Sequence, residues 1–347
     1  MHSKNIKTIL FFRSVNYFLL ILRYKYIGNY IIVQILKSYV MKIKFLILSL
    51  LFSCITIAQE KTFIAEEVAV NNLIDGTLLT PKDNSKSVLA IIIAGSGPTN
   101  RDGNQNFLKN NSLKKLAEGL TNQGISTFRY DKRIVKQIRK GKVDKDIMFD
   151  DFVTDAISVI DYFKEKNIYS KIYFIGHSQG SLVGMLAAKD KADGFISLAG
   201  AGKSIDLVIQ EQIEKTAPMF TEDTKKTFAV LKENKTTTDY PPALASIFDI
   251  SLQPFMSNWI QYDPSEKIKE LQIPILIING TKDLQVTTTE ATLLKEANPN
   301  AQIKIIENMN HILFTIEGDS LENSKSYNEI TRKINPEVIE SIVAFIK

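Results

Sequence analysis

The segment from Lys171 to Ser181 reads KIYFIGHSQGS and joins a short apolar run to the pentapeptide Gly-His-Ser-Gln-Gly at 176–180. A Gly-x-Ser-x-Gly pentapeptide occurs by chance in about one chain in ten of this length, so its context must decide its meaning. Here Lys171–Ile175 predicts a buried strand and Gln179–Lys189 predicts the helix after it. A serine between such a strand and helix lies on a tight turn, where its hydroxyl can act as a nucleophile.

The rest of the chain alternates strand patterns with helix patterns. Apolar or alternating runs predict strands at Phe63–Val70 and Gly76–Thr80 (an opening hairpin), Ser87–Ala94, Ile125–Tyr130, Gly194–Leu198, Ile273–Asn279 and Ala301–Ile306. Helical periodicity predicts helices near 113–124 and 149–163, at Thr287–Ala297 and at Pro336–Ile346. This alternation predicts an α/β fold, with a mostly parallel central sheet and helices on both faces. Residues 203–265 break the rhythm and predict a helical cap inserted over one edge of the sheet, with a second lobe as the alternative.

The first 58 residues differ in charge from the rest of the chain. They contain eight Lys or Arg and no Asp or Glu, while the whole chain of 347 residues has a formal charge of +5. Without them, 35 basic residues stand against 38 acidic ones, a net charge of −3. The remaining domain therefore lacks the basic surface expected of a nucleic-acid-binding protein, and no nucleic-acid partner is expected.

The sequence of these first 58 residues, called the leader below, predicts export. From Met41, two lysines precede the apolar core Phe45–Ile57, and Thr56-Ile57-Ala58 then resembles a small-residue cleavage site. This arrangement is typical of a signal peptide. We expect residues 1–40 to be an over-extended start or a dispensable extension, 41–58 a signal peptide, and 59–347 the folded domain. Cleavage near Ala58/Gln59 would give a periplasmic or secreted protein without stable membrane insertion of the mature domain. The alternatives are a membrane anchor formed by the uncleaved leader and a lipidated Cys54.

The content of cysteine and histidine restricts the chemistry. Cys54 is the only cysteine, so neither a disulfide nor a cysteine nucleophile is expected in the mature domain. With three histidines in the chain and no mature cysteine, no zinc or other metal site is expected.

A serine hydroxyl needs a base within hydrogen-bond reach, and the histidines leave one choice. His2 precedes the expected start, and His177 adjoins Ser178, from which its side chain is expected to point away. His311 follows the strand Ala301–Ile306 and falls at the sheet edge where parallel strands end. His311 is therefore the predicted base.

The site also needs a carboxylate that orients the base, and an oxyanion hole. Asp283 ends the segment after the strand Ile273–Asn279, and the order Ser…Asp…His suits a carboxylate that orients His311. Glu307 is a weaker rival because it lies close to His311 along the chain. The backbone N–H groups of Ser96 and Gln179 are the predicted oxyanion hole. This chemistry requires no metal and no organic cofactor.

Together these motifs resemble the α/β-hydrolase family, within its group of bacterial esterases and serine aminopeptidase-like hydrolases. The resemblance covers about residues 62–347 and rests on GSGPTNRDGN (95–104), RYDKR (129–133), GHSQG (176–180), GTKD (280–283) and NMNH (308–311). It implies Ser178, Asp283 and His311 as a catalytic triad, an acyl-enzyme at Ser178, and a cap at about 203–265.

Two departures from the family pattern concern the oxyanion loop and its neighbour. Ala94-Gly95 stands where many relatives have His-Gly, so the sequence does not show which side chain supports this loop. RYDKR is not followed by the Gly-x-Gly-x-Ser sequence common in relatives. Arg101 and Asp102 are expected to brace the loop.

The predicted function is hydrolysis of carboxylic esters, with a small-molecule ester or acyl compound as substrate. One alternative is a serine aminopeptidase-like peptidase with the same triad, which would bind a free α-amino group through a cap carboxylate: Glu211, Glu214, Glu222 or Asp223. An alternative of another class is a non-catalytic ligand-binding protein on the hydrolase fold.

Overall fold

The computed structural model describes residues 23–26, 28–30, 34–46, 62–82 and 88–347. The chain divides into two units, Met1–Lys61 and Thr62–Lys347. The described residues of the first unit are helical, and no helix among the described residues is long and apolar enough to cross a membrane. The predicted cleavage site at Ala58/Gln59 and the lipidation alternative at Cys54 lie outside the described residues.

The second unit is built on a sheet whose strands alternate with helices. The strands are β1 Phe63–Ala69, β2 Asp75–Pro81, β3 Val88–Ile93, β4 Ser126–Tyr130, β5 Lys171–His177, β6 Gly194–Leu198, β7 Ile275–Gly280 and β8 Gln302–Ile306. Their order across the sheet is β1-β2-β4-β3-β5-β6-β7-β8. β2 pairs antiparallel with β1 and with β4, whereas all other neighbours are parallel. The predicted mostly parallel sheet is therefore confirmed.

The helices connect these strands. They are α1 Ser112–Asn122, α2 Arg133–Arg139, α3 Phe149–Lys166, α4 Gln179–Ala188, α5 Ile205–Thr216, α6 Thr221–Lys232, α7 Ala245–Phe248, α8 Gln253–Trp259, α9 Pro264–Lys269, α10 Thr288–Ala297, α11 Ser320–Ser326 and α12 Pro336–Ile346. Single 3₁₀ turns occur at Pro218–Phe220 and Pro242–Leu244. The strand bounds agree with the predicted ones to within about two residues, but α2 and α11 lie where the sequence pattern predicts no helix.

Apolar layers cover both faces of the sheet. Successive side chains of a strand point to opposite faces, and Ile91 packs in one layer while Ile92 packs in the other. The first layer includes α3 and α4, and the second includes α1 and α12. Strands covered on both faces become almost continuously apolar, which explains the unbroken run at β3.

The helices α5 to α8 lie between β6 and β7 in the chain and are called the insertion below. They form a small apolar cluster of their own, centred on Phe228, Leu231 and Phe248. Trp259 stacks on Phe149 of α3 with ring centroids 5.5 Å apart. The insertion is thereby packed against the helix layer of the sheet, and its position in the chain falls within the predicted segment 203–265.

Candidate active site

Ser178 lies on the turn between β5 and α4. Its backbone has φ 55° and ψ −122°, a positive-φ conformation that a residue with a Cβ rarely adopts. Its N–H donates to the Leu198 carbonyl at 2.9 Å. A Cβ at Gly176 would collide with the Gly180 carbonyl, and a Cβ at Gly180 would collide with the Ile93 carbonyl. The tight turn that presents Ser178 therefore requires both glycines of the pentapeptide.

His311 and Asp283 form a buried pair. The His311 Nδ1–H donates to Asp283 Oδ2 at 2.8 Å, and the two residues are 4% and 6% exposed. The other carboxylate oxygen accepts the backbone N–H groups of Gln285 and Val286 at 2.8 and 2.9 Å. With Nδ1 donating to the carboxylate, the Nε2 atom of His311 is left as the proton acceptor that a catalytic base needs.

The turn that carries Asp283 is braced by Asn279 at the end of β7. The Asn279 Nδ2 group donates to the carbonyls of Val286 and Thr287 at 3.1 and 2.9 Å. Asn279 Oδ1 accepts the N–H of Gly280 at 2.8 Å. Asn279 was not singled out from the sequence, because a single asparagine at a strand end carries no pattern of its own.

The loop that carries His311 is fixed by its neighbour Asn310, which is fully buried. Asn310 Nδ2 donates to Asn323 Oδ1 and to Ser326 Oγ, each at 2.9 Å, and its Oδ1 accepts the Phe314 N–H at 2.9 Å. Asn323 and Ser326 belong to α11. The helix that the sequence pattern misses is therefore the one that holds the His311 loop in place.

His177 does not point away from the site, so that expectation is wrong. Its ring centroid lies 4.9 Å from that of His311, and its Nε2–H donates to the His311 carbonyl at 2.7 Å. Strand alternation does not apply here because β5 ends at His177 and the chain turns at Ser178. Burial, and then the neighbouring His311, lower the pKa of His177 to about 4, so its ring is neutral near pH 7.

The structure also places the rival carboxylate Glu307 and the two residues expected to brace the loop, Arg101 and Asp102. Glu307, the rival to Asp283, is exposed and accepts the Thr281 hydroxyl at 3.1 Å, away from the His311 ring. The Arg101 guanidinium donates to Asp131, Glu67 and Asp75, and Arg129 donates to Asp102. These ion pairs tie the loop after β3 to the hairpin and to β4, as expected of a brace.

Ser96 and Gln179 lie beside Ser178, on the loop after β3 and at the first residue of α4. A Cβ at Gly95 would lie only 3.2 Å from the Ser178 Cβ, so the loop packs closely on the serine. Neither the Ser96 N–H nor the Gln179 N–H bonds to another residue of the described part of the chain. The Ser96 carbonyl accepts the Thr99 hydroxyl at 2.7 Å, which shapes the loop.

Two cavities meet at Ser178, and both are lined by Ser178, Ser96 and Gln285. The first, of about 310 Å³, is called the apolar cavity, and its walls include Leu182, Ile205, Val208, Ile209, Ile213, Ile247, Trp259 and Val286. The second, of about 250 Å³, is called the polar cavity, and its walls include Thr99, Gln105, Asn110, His177, His311 and Tyr327. Ser178 and His311 thus share the polar cavity, although the hydrogen bonds of the described residues do not include one between their side chains. Catalytic hydrogen bonds often tighten only once substrate is bound.

Comparisons with known proteins agree with this architecture. A family model described as serine aminopeptidase, S33, matches residues 110–247. Esterase EstD of Thermotoga maritima is 28% identical over 268 residues, which are 75% of this chain and 62% of that protein. The chain therefore spans less than two thirds of the length of that relative.

Solved structures show the same fold. Est1E from Butyrivibrio proteoclasticus superposes with a TM-score of 0.52 at 19% identity, over 81% of this chain and 98% of that one. A structure of Est1E with bound ferulic acid gives a TM-score of 0.51 at 18% identity, over 81% and 99%. At these identities the likeness shows the fold alone, and it bears out the predicted α/β-hydrolase fold.

Proposed function

We propose that the chain hydrolyses carboxylic esters of small molecules, with Ser178 as nucleophile, His311 as base and Asp283 as the group that orients His311. The observation that carries the proposal is the buried His311–Asp283 pair, 2.8 Å apart, whose imidazole lines the same cavity as the serine on its strained turn. The similarity to the esterase EstD supports an ester as the substrate.

The reaction proceeds in two half-reactions. Ser178 Oγ attacks the ester carbonyl carbon while its proton passes to His311 Nε2, and Asp283 stabilises the imidazolium that forms. The N–H groups of Ser96 and Gln179 bind the negative oxygen of the tetrahedral intermediate. The intermediate collapses to an acyl-enzyme and an alcohol, which takes the proton from His311. A water molecule then attacks the acyl-enzyme in the same way and releases the acid and free Ser178.

The two cavities indicate where the alcohol part and the acyl part of the ester bind. His311 must protonate the leaving alcohol, and it lines the polar cavity rather than the apolar one. We therefore place the alcohol in the polar cavity and the acyl chain in the apolar cavity, between the insertion and α4. Substitution Ile209→Trp narrows the apolar cavity, so turnover of p-nitrophenyl octanoate should fall about tenfold while that of the acetate stays within about twofold. Equal losses on both esters would contradict this assignment.

The serine aminopeptidase family model favours a second candidate, peptide hydrolysis by the same residues. A free α-amino group would need a carboxylate in one of the cavities, and none of the insertion acids Glu211, Glu214, Glu222 and Asp223 lines either of them. Glu211 and Glu222 instead pair with Lys203 and Lys225. Lys203, which lines the apolar cavity, pairs with Glu211 and Glu290, and neither of these carboxylates lines the cavity itself. These contacts support ester hydrolysis over aminopeptidase activity.

Turnover of p-nitrophenyl esters and of aminoacyl p-nitroanilides by the purified protein tests the proposal. We expect ester turnover that falls by a factor of about 10³ or more in Ser178→Ala, because the nucleophile is lost. Ser251→Ala, an exposed serine of the insertion, is the matched control and should keep the wild-type rate. A protein that cleaves the nitroanilides and leaves the esters intact would instead be a peptidase.

A further inference from the structure

Lys132 is a buried lysine next to the oxyanion loop. It lies between β4 and α2, in the RYDKR segment, and is only 4% exposed. Its ammonium group donates to the carbonyl of Gly95 at 2.5 Å and lies 5.1 Å from the centroid of the Phe152 ring. The side chain therefore spans from the helix layer, at α3, to the loop after β3.

Lys132 forms no ion pair with a carboxylate of the described residues. The adjacent Asp131 is bound to Arg101 and Arg139 instead. Burial without an acidic partner lowers the pKa of Lys132 to about 7. Burying an amine in this way costs stability, so a contribution to folding does not account for the arrangement.

The bond from Lys132 acts on one particular peptide group. The Gly95 carbonyl and the Ser96 N–H belong to the same peptide unit, so a donor on the oxygen fixes the plane of that unit. Such a donor also polarises the unit, because hydrogen bonds at the two ends of an amide strengthen one another. Two other bonds within the loop, from Thr99 and Gln105, reach the Ser96 carbonyl and hence the next peptide unit.

We propose that Lys132 is a positioning residue that orients and polarises the Gly95–Ser96 peptide, so that the Ser96 N–H is ready to bind the oxyanion. This inference rests on the proposed function. Lys132 lines neither the apolar nor the polar cavity, so it acts through the peptide and not on the substrate. It supplies the side-chain support of the oxyanion loop that Ala94 cannot give.

Kinetics of Lys132→Met on p-nitrophenyl butyrate tests the inference, with active sites counted by end-point labelling with a fluorophosphonate. We expect kcat per labelled site to fall about tenfold, less than the 10²–10³ lost with an oxyanion donor itself, while KM stays within about twofold. Lys295→Met is the matched control, because Lys295 also donates to backbone carbonyls, those of Pro299 and Ala301 just before β8. It should keep the wild-type kcat.

A second measurement separates positioning from folding. An alkylboronic acid forms a tetrahedral adduct with the serine, and its affinity should fall in Lys132→Met by the same factor as kcat. Lys132→Arg, which keeps a cation and donors, should recover part of both losses. If Lys132→Met does not fold, Lys132→Gln, which removes the charge and shortens the reach, should show the same loss of kcat.

The outcomes distinguish this inference from the proposed function. Wild-type kcat per labelled site in Lys132→Met, or an unchanged boronate affinity, would overturn the role of Lys132 while leaving the esterase in place. A wild-type protein that neither turns over the ester nor takes the label would overturn the proposed function, and the role of Lys132 with it.

Discussion

At the scale of single residues, the pair of His311 and Asp283 decides which nitrogen of the imidazole acts as base. In Asp283→Asn the amide oxygen can still accept the N–H groups of Gln285 and Val286, so the turn should persist. The carboxylate that selects the His311 tautomer and stabilises its cation is lost. We expect kcat for p-nitrophenyl butyrate to fall by a factor of about 10³ to 10⁴ with little change in KM.

Glu307→Gln is the control for that substitution, because Glu307 is the other acidic residue proposed for the role. It should retain the wild-type rate, since its carboxylate contacts the Thr281 hydroxyl and not His311. A large loss in Glu307→Gln together with an active Asp283→Asn would exchange the two assignments.

His177 makes stability depend on pH. Its pKa of about 4 in the folded protein lies below the ordinary value of 6.5, so between these values the unfolded chain binds a proton that the folded protein does not. The free energy of unfolding therefore decreases as the pH falls through this window, by about 3 kcal/mol from this residue. His177→Gln, which keeps a donor for the His311 carbonyl, should lose correspondingly less stability than the wild type.

Urea denaturation of both proteins at about pH 7 and about pH 4 measures this difference. If the two proteins lose the same free energy of unfolding between these pH values, His177 does not titrate as described.

Sequence and structure agree best for residues whose position follows from the ends of strands. Ser178, Asp283 and His311 come after different strands, and parallel strands end at one sheet edge, so their meeting was predictable. Asn310 and Lys132 lie within the NMNH and RYDKR motifs, but their roles were missed because each depends on a contact with another segment, α11 and the Gly95 carbonyl. A single asparagine or lysine contains no information about such a partner.

At the scale of elements, α11 supports the site through Asn310. Asn310→Ala removes the bond that the Phe314 N–H donates to Asn310 and the two bonds that Asn310 donates to Asn323 and Ser326 of α11. We expect the free energy of unfolding to fall by about 3 kcal/mol and kcat by about tenfold, because the His311 loop loosens. Thermal unfolding and ester kinetics measure the two effects.

Ser324→Ala is the control on the same helix, since the Ser324 hydroxyl is exposed and bonds only within α11. It should change stability by less than about 0.5 kcal/mol. An Asn310→Ala protein with wild-type kcat would show that α11 does not support catalysis.

The elements missed from the sequence are short and polar. α2 has one buried residue, Val135, and is tied to α3 by Arg133, which donates to Asp151 and Asp155. α11 has little apolar periodicity, but Asp319 caps it by accepting the N–H groups of the next turn. An acid followed three residues later by a glutamate is a helix-start signal, and Asp319 and Glu322 form this signal at the start of α11.

At the scale of the whole molecule, the sheet brings together segments that are far apart in the chain. The bond from His177 to the His311 carbonyl joins residues separated by 134 positions, and it links the end of β5 to the loop after β8. The order of strands and helices was predictable because each buried strand contains its own apolar pattern. The two cavities were not predictable, because the walls of the apolar one depend on how the insertion packs over α4, and those of the polar one on how the loop after β3 packs against the His311 loop.

Covalent labelling of the purified protein with a fluorophosphonate, followed by mass spectrometry of the peptides, tests directly whether Ser178 is the nucleophile. We expect one phosphonyl group per folded molecule, located on Ser178, and no label in Ser178→Ala or after denaturation. A folded wild-type protein that takes no label, or that takes it on another residue, would contradict the assignment of Ser178 as the nucleophile.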